Sequence, residues 1–355
     1  MPSPINNRHE TGLLARTGLL ARTMKPRVLM AVDPKLRDEI FSQDALRRLE
    51  SFSSATYHPG PGSMTAEELA RRIPRFEGLI TCWGSPRITP EIVAKAKRLR
   101  IISHSAGSVR PYVCDEVFMK GICVTNASSA IAVSVAETTI GLIIASLRHL
   151  FEYDDHLRSG REEKPDFGAS HELTGRTVGI IGMGEVGRRV MAFLKPFSCR
   201  ILVYDPYKSA AEIEEAGGLP AQLGDLMSQS EIVSIHAPNI PSNRRMISRD
   251  LLARLRDGAV LVNTARGELI DEDALIEEVR SGRISCALDV FEANAREVAR
   301  RLAGAGNVIM TPHIAGKAVE TRRRQGEVVV EDMRLFFSGG TPRNIVSKEM
   351  LEWMA

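Results

Sequence analysis

The sequence predicts an α/β protein of two doubly wound parallel-sheet domains, the second inserted into the first. Three observations carry this expectation. From Met24 onward, short apolar runs alternate with helical patterns, as βα repeats require. The runs of the second half are continuously apolar, which suits strands of a parallel sheet covered on both faces. A helical segment after His313 reads as a return to the first domain, which makes that domain discontinuous. The boundaries that follow are an extension at 1–23, one domain beginning at 24–128, the inserted domain at 129–316 and the return segment at 317–355. At 355 residues, 43% hydrophobic and 26% charged, the chain can bury two cores.

Taken in order, the N-terminus repeats TGLLAR at Thr11–Arg16 and Thr17–Arg22. It reads as a disordered extension upstream of a natural start at Met24, with organelle targeting as the second reading because Glu10 is its one acid. Strands are expected at RVLMAV, GLITCW (Gly78–Trp83), RIISHS (Arg100–Ser105) and ICVTN (Ile122–Asn126). Between them TPEIVAKAKR reads as a helix capped by Thr89, with Pro90 in its first turn. The long pattern VSVAETTIGLIIASLRHLFEYDDHLRSG is too densely apolar for a surface helix and reads as a bridge buried by neighbours or by a partner chain. The runs TVGIIG, CRILVYD, EIVSIHAP, AVLVNTA, ISCALDV and NVIMTPH then read as strands of the second sheet. AVETRRRQGEVVVEDMRLFF is helical, with Arg322–Arg324 on a solvated face.

Charge and composition exclude several function classes. The net charge of +3 comes from 47 basic and 44 acidic residues interspersed along the chain, so neither nucleic acid nor an anionic membrane is an expected partner. The longest apolar run, Ile140–Leu147, falls short of the roughly 18 residues of a spanning helix, and no transmembrane helix is expected. Five scattered cysteines without a CxxC pair argue against a disulfide framework or a zinc site and point to a reducing cytoplasm.

The stretch VGIIGMGEVGRRV holds a GxGxxG motif between a strand and a helix. Gly182 permits the tight turn, Gly184 lets the backbone approach a pyrophosphate and Gly187 allows close helix packing, while the helix start offers free N–H groups. Eighteen residues past Gly187, RILVYD ends in Asp205, where an acceptor for both ribose hydroxyls belongs. An acid there repels a 2′-phosphate, so NAD is favoured over NADP, with Tyr207 and Lys208 tempering the preference. The second domain is thus expected to be a Rossmann NAD-binding domain.

LVNTARGELIDEDAL (Leu261–Leu275), CALDVFE (Cys286–Glu292) and TPHIAG (Thr311–Gly316) resemble the D-isomer-specific 2-hydroxyacid dehydrogenases. HSAG at His104–Gly107, NAS with VAE between Asn126 and Glu137, and the glycine motif occur in that family's order. The resemblance implies a flavodoxin-like substrate domain around the Rossmann domain, a small 2-hydroxy or 2-keto acid as ligand, and a homodimer built mainly through the cofactor domain. A 2-hydroxy acid needs a cation for its carboxylate and a group to move the hydroxyl proton. The resemblance assigns Arg266 to the first task and His313 to the second. It places the backbone of Ala106 and Gly107 at the substrate carboxylate, the backbone around Glu185 and Val186 at the pyrophosphate, and His236, Thr264, Ala265, Asp289 and Gly316 at the cofactor, with Asp289 accepting from the nicotinamide carboxamide. Trp83 is a candidate pocket wall and Arg110 a candidate second anion contact.

The pattern breaks at two places. Family members usually carry a glutamate five residues after the Asp of LDVF, paired with the histidine; here Asn294 stands there, followed by Ala295. A carboxylate would stabilise imidazolium by roughly 1–3 pKa units, so its loss is expected to slow reduction rather than abolish it. Glu292 and Glu297 flank the gap as substitutes, ranked below Asn294 itself. Ile131 replaces an asparagine of many relatives, which counts against formate as substrate. The favoured reading is an NAD-dependent 2-hydroxyacid dehydrogenase working as a 2-keto acid reductase. The alternatives are a non-catalytic NAD(H)-responsive binding protein of the same fold and a short phosphoglycerate dehydrogenase without a regulatory domain.

Overall fold

The computed structural model describes residues 25–161 and 168–354, and the expectation for residues 1–23 lies outside them. Twelve strands form two sheets among the described residues. The first sheet contains β1 (Arg27–Met30), β2 (Ser54–Tyr57), β3 (Gly78–Thr81), β4 (Ile101–His104) and β5 (Cys123–Asn126), in the order β2-β1-β3-β4-β5. Every pair is parallel, and this is the flavodoxin-like order. The second sheet contains β6 (Thr177–Ile181), β7 (Arg200–Tyr204), β8 (Leu219–Pro220), β9 (Ile232–Ile235), β10 (Val260–Asn263), β11 (Ser285–Leu288) and β12 (Val308–Met310). Its order, β12-β11-β10-β9-β6-β7-β8, is again all parallel and is the Rossmann arrangement, with the chain reversing direction across the sheet between β6 and β9.

The central strands are buried on both faces, as their unbroken apolar runs require: β3, β9 and β10 contain no exposed residue. The expected strands are present but shorter. They end where the chain leaves the sheet for loops that carry polar work, as at Cys82, whose N–H is taken by the Ser85 hydroxyl. Two strands were not legible. Ser54–Tyr57 is a partly exposed edge strand of mixed polarity, and Leu219–Pro220 has two residues and an exposed edge.

The helix expected before the second sheet is two helices. Ser128–Leu147 ends at His149, which takes a left-handed φ of 52°, and Leu150–Arg158 follows. Ser128–Leu147 is, by length and composition, apolar enough to cross a membrane. Here it lies inside the protein, against helix Glu185–Leu194 and strands β10 and β11, and Ala136, Ile143 and Leu147 join the core beneath β6. Thr89 does occupy the cap position of helix Pro90–Lys95, but its side chain makes no cap hydrogen bond and pairs with Glu91 instead.

After the second sheet, helix Val319–Phe337 packs on helices Pro34–Ile40 and Gln43–Phe52 of the first unit. Val329, Val330 and Met333 complete the core beneath β1, and a Cβ on Gly326 would lie 2.4 Å from the Ile40 carbonyl oxygen. The arginine triplet on this helix is not a solvated face. Arg322 lies over the Trp83 ring, Arg323 donates to the Asp38 carbonyl and Arg324 to the Ala130 carbonyl. The chain then crosses to β5, where Val346 N–H donates to the Val124 carbonyl.

Candidate active site

The carboxyl ends of the strands flanking the β6–β9 reversal open into a cavity of about 540 Å³. The glycine motif forms one wall, and each glycine has its own reason. Gly182 has φ +94°, and a Cβ there would meet Ala237 N at 2.7 Å. A Cβ on Gly187 would lie 2.1 Å from the Gly182 carbonyl oxygen, so the helix Glu185–Leu194 can sit this close only with glycine. A Cβ on Gly184 would meet nothing within 4 Å: its backbone faces the open cavity, as approach to a phosphate requires. Glu185 and Val186 line the cavity at the helix start.

Asp205 stands at one end of this cavity. One carboxylate oxygen accepts from Met183 N–H at 2.8 Å and the other from Tyr207 N–H at 2.9 Å. Those bonds fix the carboxylate and leave each oxygen further lone-pair capacity for sugar hydroxyls. The residues therefore fit a dinucleotide: free helix N–H groups, an open glycine and an oriented acid. A separate hollow of about 590 Å³ also borders Asp205 but holds none of the three glycines.

At the other end are Thr264, Ala265 and Arg266, which follow β10. The Thr264 hydroxyl pairs with that of Thr139 at 3.0 Å, and the Asn263 side chain holds the turn through Ala265 N–H and the Arg266 carbonyl. Arg266 is partly buried, and burial pulls its pKa below the ordinary guanidinium value, partly offset by Glu268. Its guanidinium donates to the neighbouring Ala265 carbonyl at 2.7 Å, and no carboxylate forms an ion pair with it among the described residues. His236 also borders the cavity. Its Nε2 pairs with the Ser234 hydroxyl at 2.9 Å, and burial pushes its pKa down to about 3, so it is neutral at physiological pH.

Arg266 borders a second hollow too, of about 450 Å³, shared with Glu268, Asp289 and His313. His313 is exposed and takes φ 55°, a left-handed conformation that few non-glycine residues adopt. Its N–H is held by the Asp289 and Thr311 carbonyls. The Asp289 side chain, 1% exposed, accepts from the Thr311 hydroxyl at 2.6 Å, Ile314 N–H at 2.8 Å and Ala315 N–H at 2.9 Å. A strained backbone held by a buried carboxylate places an exposed imidazole on the same hollow as a cation that makes no ion pair among the described residues.

The model of the D-isomer specific 2-hydroxyacid dehydrogenase NAD binding domain matches residues 140–315. The chain is 36% identical over 271 residues to a hydroxypyruvate reductase of Thermotoga maritima, covering 75% of this chain and 86% of that protein. This chain belongs to the D-isomer specific 2-hydroxyacid dehydrogenase family. It is also 33% identical to a D-3-phosphoglycerate dehydrogenase of Methanocaldococcus jannaschii over 86% of its own length, but spans only 57% of that relative. The crystal structure of D-lactate dehydrogenase from Aquifex aeolicus, complexed with NAD and lactic acid, superposes with a TM-score of 0.70 at 26% identity. The match covers 90% of this chain and 98% of that one. The second unit is accordingly this family's NAD-binding domain.

Several expectations for this family member need correction. Asn294 does not face His313. It caps helix Ala295–Arg301, its side-chain oxygen accepting from Arg296 N–H at 2.9 Å, and it lines neither hollow. Glu292 is no substitute, because Arg244 (2.8 Å) and Arg245 (3.1 Å) hold its carboxylate; Glu297 lies on the exposed side of the helix. Besides Asp289, the carboxylate that shares a hollow with His313 and Arg266 is Glu268. Asp289 serves the loop that carries His313 through three protein donors, two on Oδ1 and one on Oδ2. Trp83 lies under Arg322, 4.3 Å from guanidinium carbon to ring centre, and lines neither hollow. Gly107 and Ser108 line the dinucleotide cavity, next to Ala106, whose assigned role is its backbone and whose methyl group joins the first unit's core; Gly316 packs on Ile131. Arg110 is exposed and lines neither hollow.

Sequence reasoning missed other lining residues. Ala132 and Val135 project from helix Ser128–Leu147 beside Ile131, and their apolar pattern is indistinguishable from core. Met350, Trp353 and Met354 come from the C-terminal segment, where no motif marks them.

Proposed function

We propose that this chain interconverts a small 2-keto acid and its 2-hydroxy acid with NAD, and works best as a keto acid reductase on substrates of the glyoxylate or hydroxypyruvate size. The observation that carries the reading is Arg266: a partly buried guanidinium without a carboxylate partner, bordering both the dinucleotide cavity and the hollow of His313. A charge kept unpaired in such a place suits an anionic ligand. Bound NADH supplies the hydride.

The remaining work belongs to the protein. The Arg266 fork holds the substrate carboxylate and leans on the carbonyl oxygen. Backbone groups at Gly107 and Ser108 meet the carboxylate from the first unit. His313, as imidazolium, donates a proton to the carbonyl oxygen as negative charge develops there, and as imidazole takes it back in oxidation. The helix Ser128–Leu147, through Ile131, Ala132 and Val135, keeps water from that end of the cleft. The Asp205 carboxylate repels a 2′-phosphate and favours NAD over NADP.

The protein acts as a cytoplasmic homodimer without nucleic acid or membrane partners. The exposed Leu150, Phe151 and Leu157 on helix Leu150–Arg158 offer the dimer an apolar face. The missing glutamate alone suits a non-catalytic NAD-responsive protein, but that reading leaves the unpaired Arg266 without a task. The test is NADH and NADPH oxidation with a panel of 2-keto acids. Turnover of at least one with NADH is expected; tight NADH binding without turnover of any would support the binding protein instead.

A further inference from the structure

The C-terminal segment is tied to the first unit by unrelated bonds. Lys348 Nζ pairs with Asp115 at 2.7 Å, Val109 N–H donates to the Met354 sulfur at 3.2 Å, and Leu351 and Met354 pack on the core beneath β4 and β5. From that seat, the 3-10 turn Glu349–Glu352 carries Trp353 across to the second unit. There its ring meets Tyr207 edge-on, with centroids 4.5 Å apart. Tyr207 sits two residues past Asp205, and both aromatics border the same cavity as the glycine motif. Both rings are exposed at that edge, Tyr207 at 52% and Trp353 at 42%. An aromatic wall beside a ribose-binding acid matches a flat base, because base stacking on an aromatic ring needs only a π-face.

We propose that residues Glu349–Met354 form a strap that completes the cofactor site, with Trp353 stacking on the adenine ring and Tyr207 bracing the indole. The proposal rests on NAD binding in this cavity and adds the residue that receives its adenosine half. Because the strap is anchored on the first unit, a nucleotide held by both Asp205 and Trp353 bridges the two units.

The probe is ADP-ribose, which carries the adenosine and pyrophosphate but no nicotinamide. The chain has two tryptophans, so a Trp83→Phe background leaves Trp353 as the sole indole reporter. Saturating ADP-ribose is expected to quench Trp353 emission. Trp353→Ala should weaken ADP-ribose binding, read by calorimetry, about tenfold, whereas Trp353→Phe should stay within about twofold of the parent. Unmoved emission in the single-tryptophan chain at saturation would overturn the proposal, and this readout needs no truncated side chain. Equal or tighter binding by Trp353→Ala would overturn it as well, tighter binding marking the strap as a plug. Failure of the wild-type chain to bind ADP-ribose or NADH at all would instead sink the cofactor reading beneath it.

Discussion

Replacing Asp289 with Asn separates a loop-holding role from a cofactor-binding one. The native carboxylate accepts three hydrogen bonds while 1% exposed. An amide oxygen can retain the two that now share Oδ1, from the Thr311 hydroxyl and Ile314 N–H. The amide NH2 then faces Ala315 N–H, donor against donor, beside a residue 2% exposed. An unsatisfied buried N–H costs about 1–3 kcal/mol, and loss of charge from the other two bonds adds up to about 1 kcal/mol. A destabilisation near 3 kcal/mol falls on the loop that holds His313 in its left-handed conformation, and displacement of that imidazole can lower kcat up to about 100-fold. The assays are a thermal melt, keto acid kinetics and NADH binding by fluorescence. A lower melting temperature and kcat with NADH affinity within about threefold of wild type are expected, since each 1.4 kcal/mol of lost cofactor contact would be tenfold. An unchanged melt with sharply weakened NADH binding would refute the loop assignment and restore Asp289 as a carboxamide acceptor.

Other outcomes follow from the same geometry. His104, 1% exposed, and the partly buried His236 have folded-state pKa values depressed to about 3, each by desolvation. The unfolded chain binds a proton at each near pH 6.5, so their contribution to stability is full above that pH and is lost as pH falls toward 3. The loss amounts to roughly 2 kcal/mol per histidine at pH 5. Imidazole titration by NMR near 6.5 for either one would contradict this. Asn294→Glu should leave the pH midpoint of reduction unmoved, because position 294 faces its own helix; an upward shift would show that it reaches His313.

Much of the fold was legible because parallel strands buried on both faces must be continuously apolar, and because Gly182 and Gly187 are demanded by backbone contacts that no side chain could tolerate. The cofactor wall and Arg266 followed from the same logic. The loop-holding role of Asp289 was not legible because a strand-end carboxylate looks alike whether it serves a ligand or a loop; the donors at Ile314 and Ala315 come from backbone, which leaves no residue signature. Asn294 was assigned by spacing, yet without the usual proline the chain starts a helix and spends the side chain on its cap. The arginine triplet looked solvated because its partners, Trp83 and the carbonyls of Asp38 and Ala130, are distant in sequence. The Trp353 strap carries no periodicity, and its place is set by tertiary anchors such as Lys348 to Asp115.

Binding of oxamate, an unreactive keto acid mimic, to the NADH-loaded protein before and after Arg266→Ala gives the sharpest measurement. A lost charge-assisted bidentate contact predicts at least about 100-fold weaker oxamate binding with NADH affinity preserved. Undiminished oxamate binding by the variant would mean that the free guanidinium between the two hollows holds no substrate.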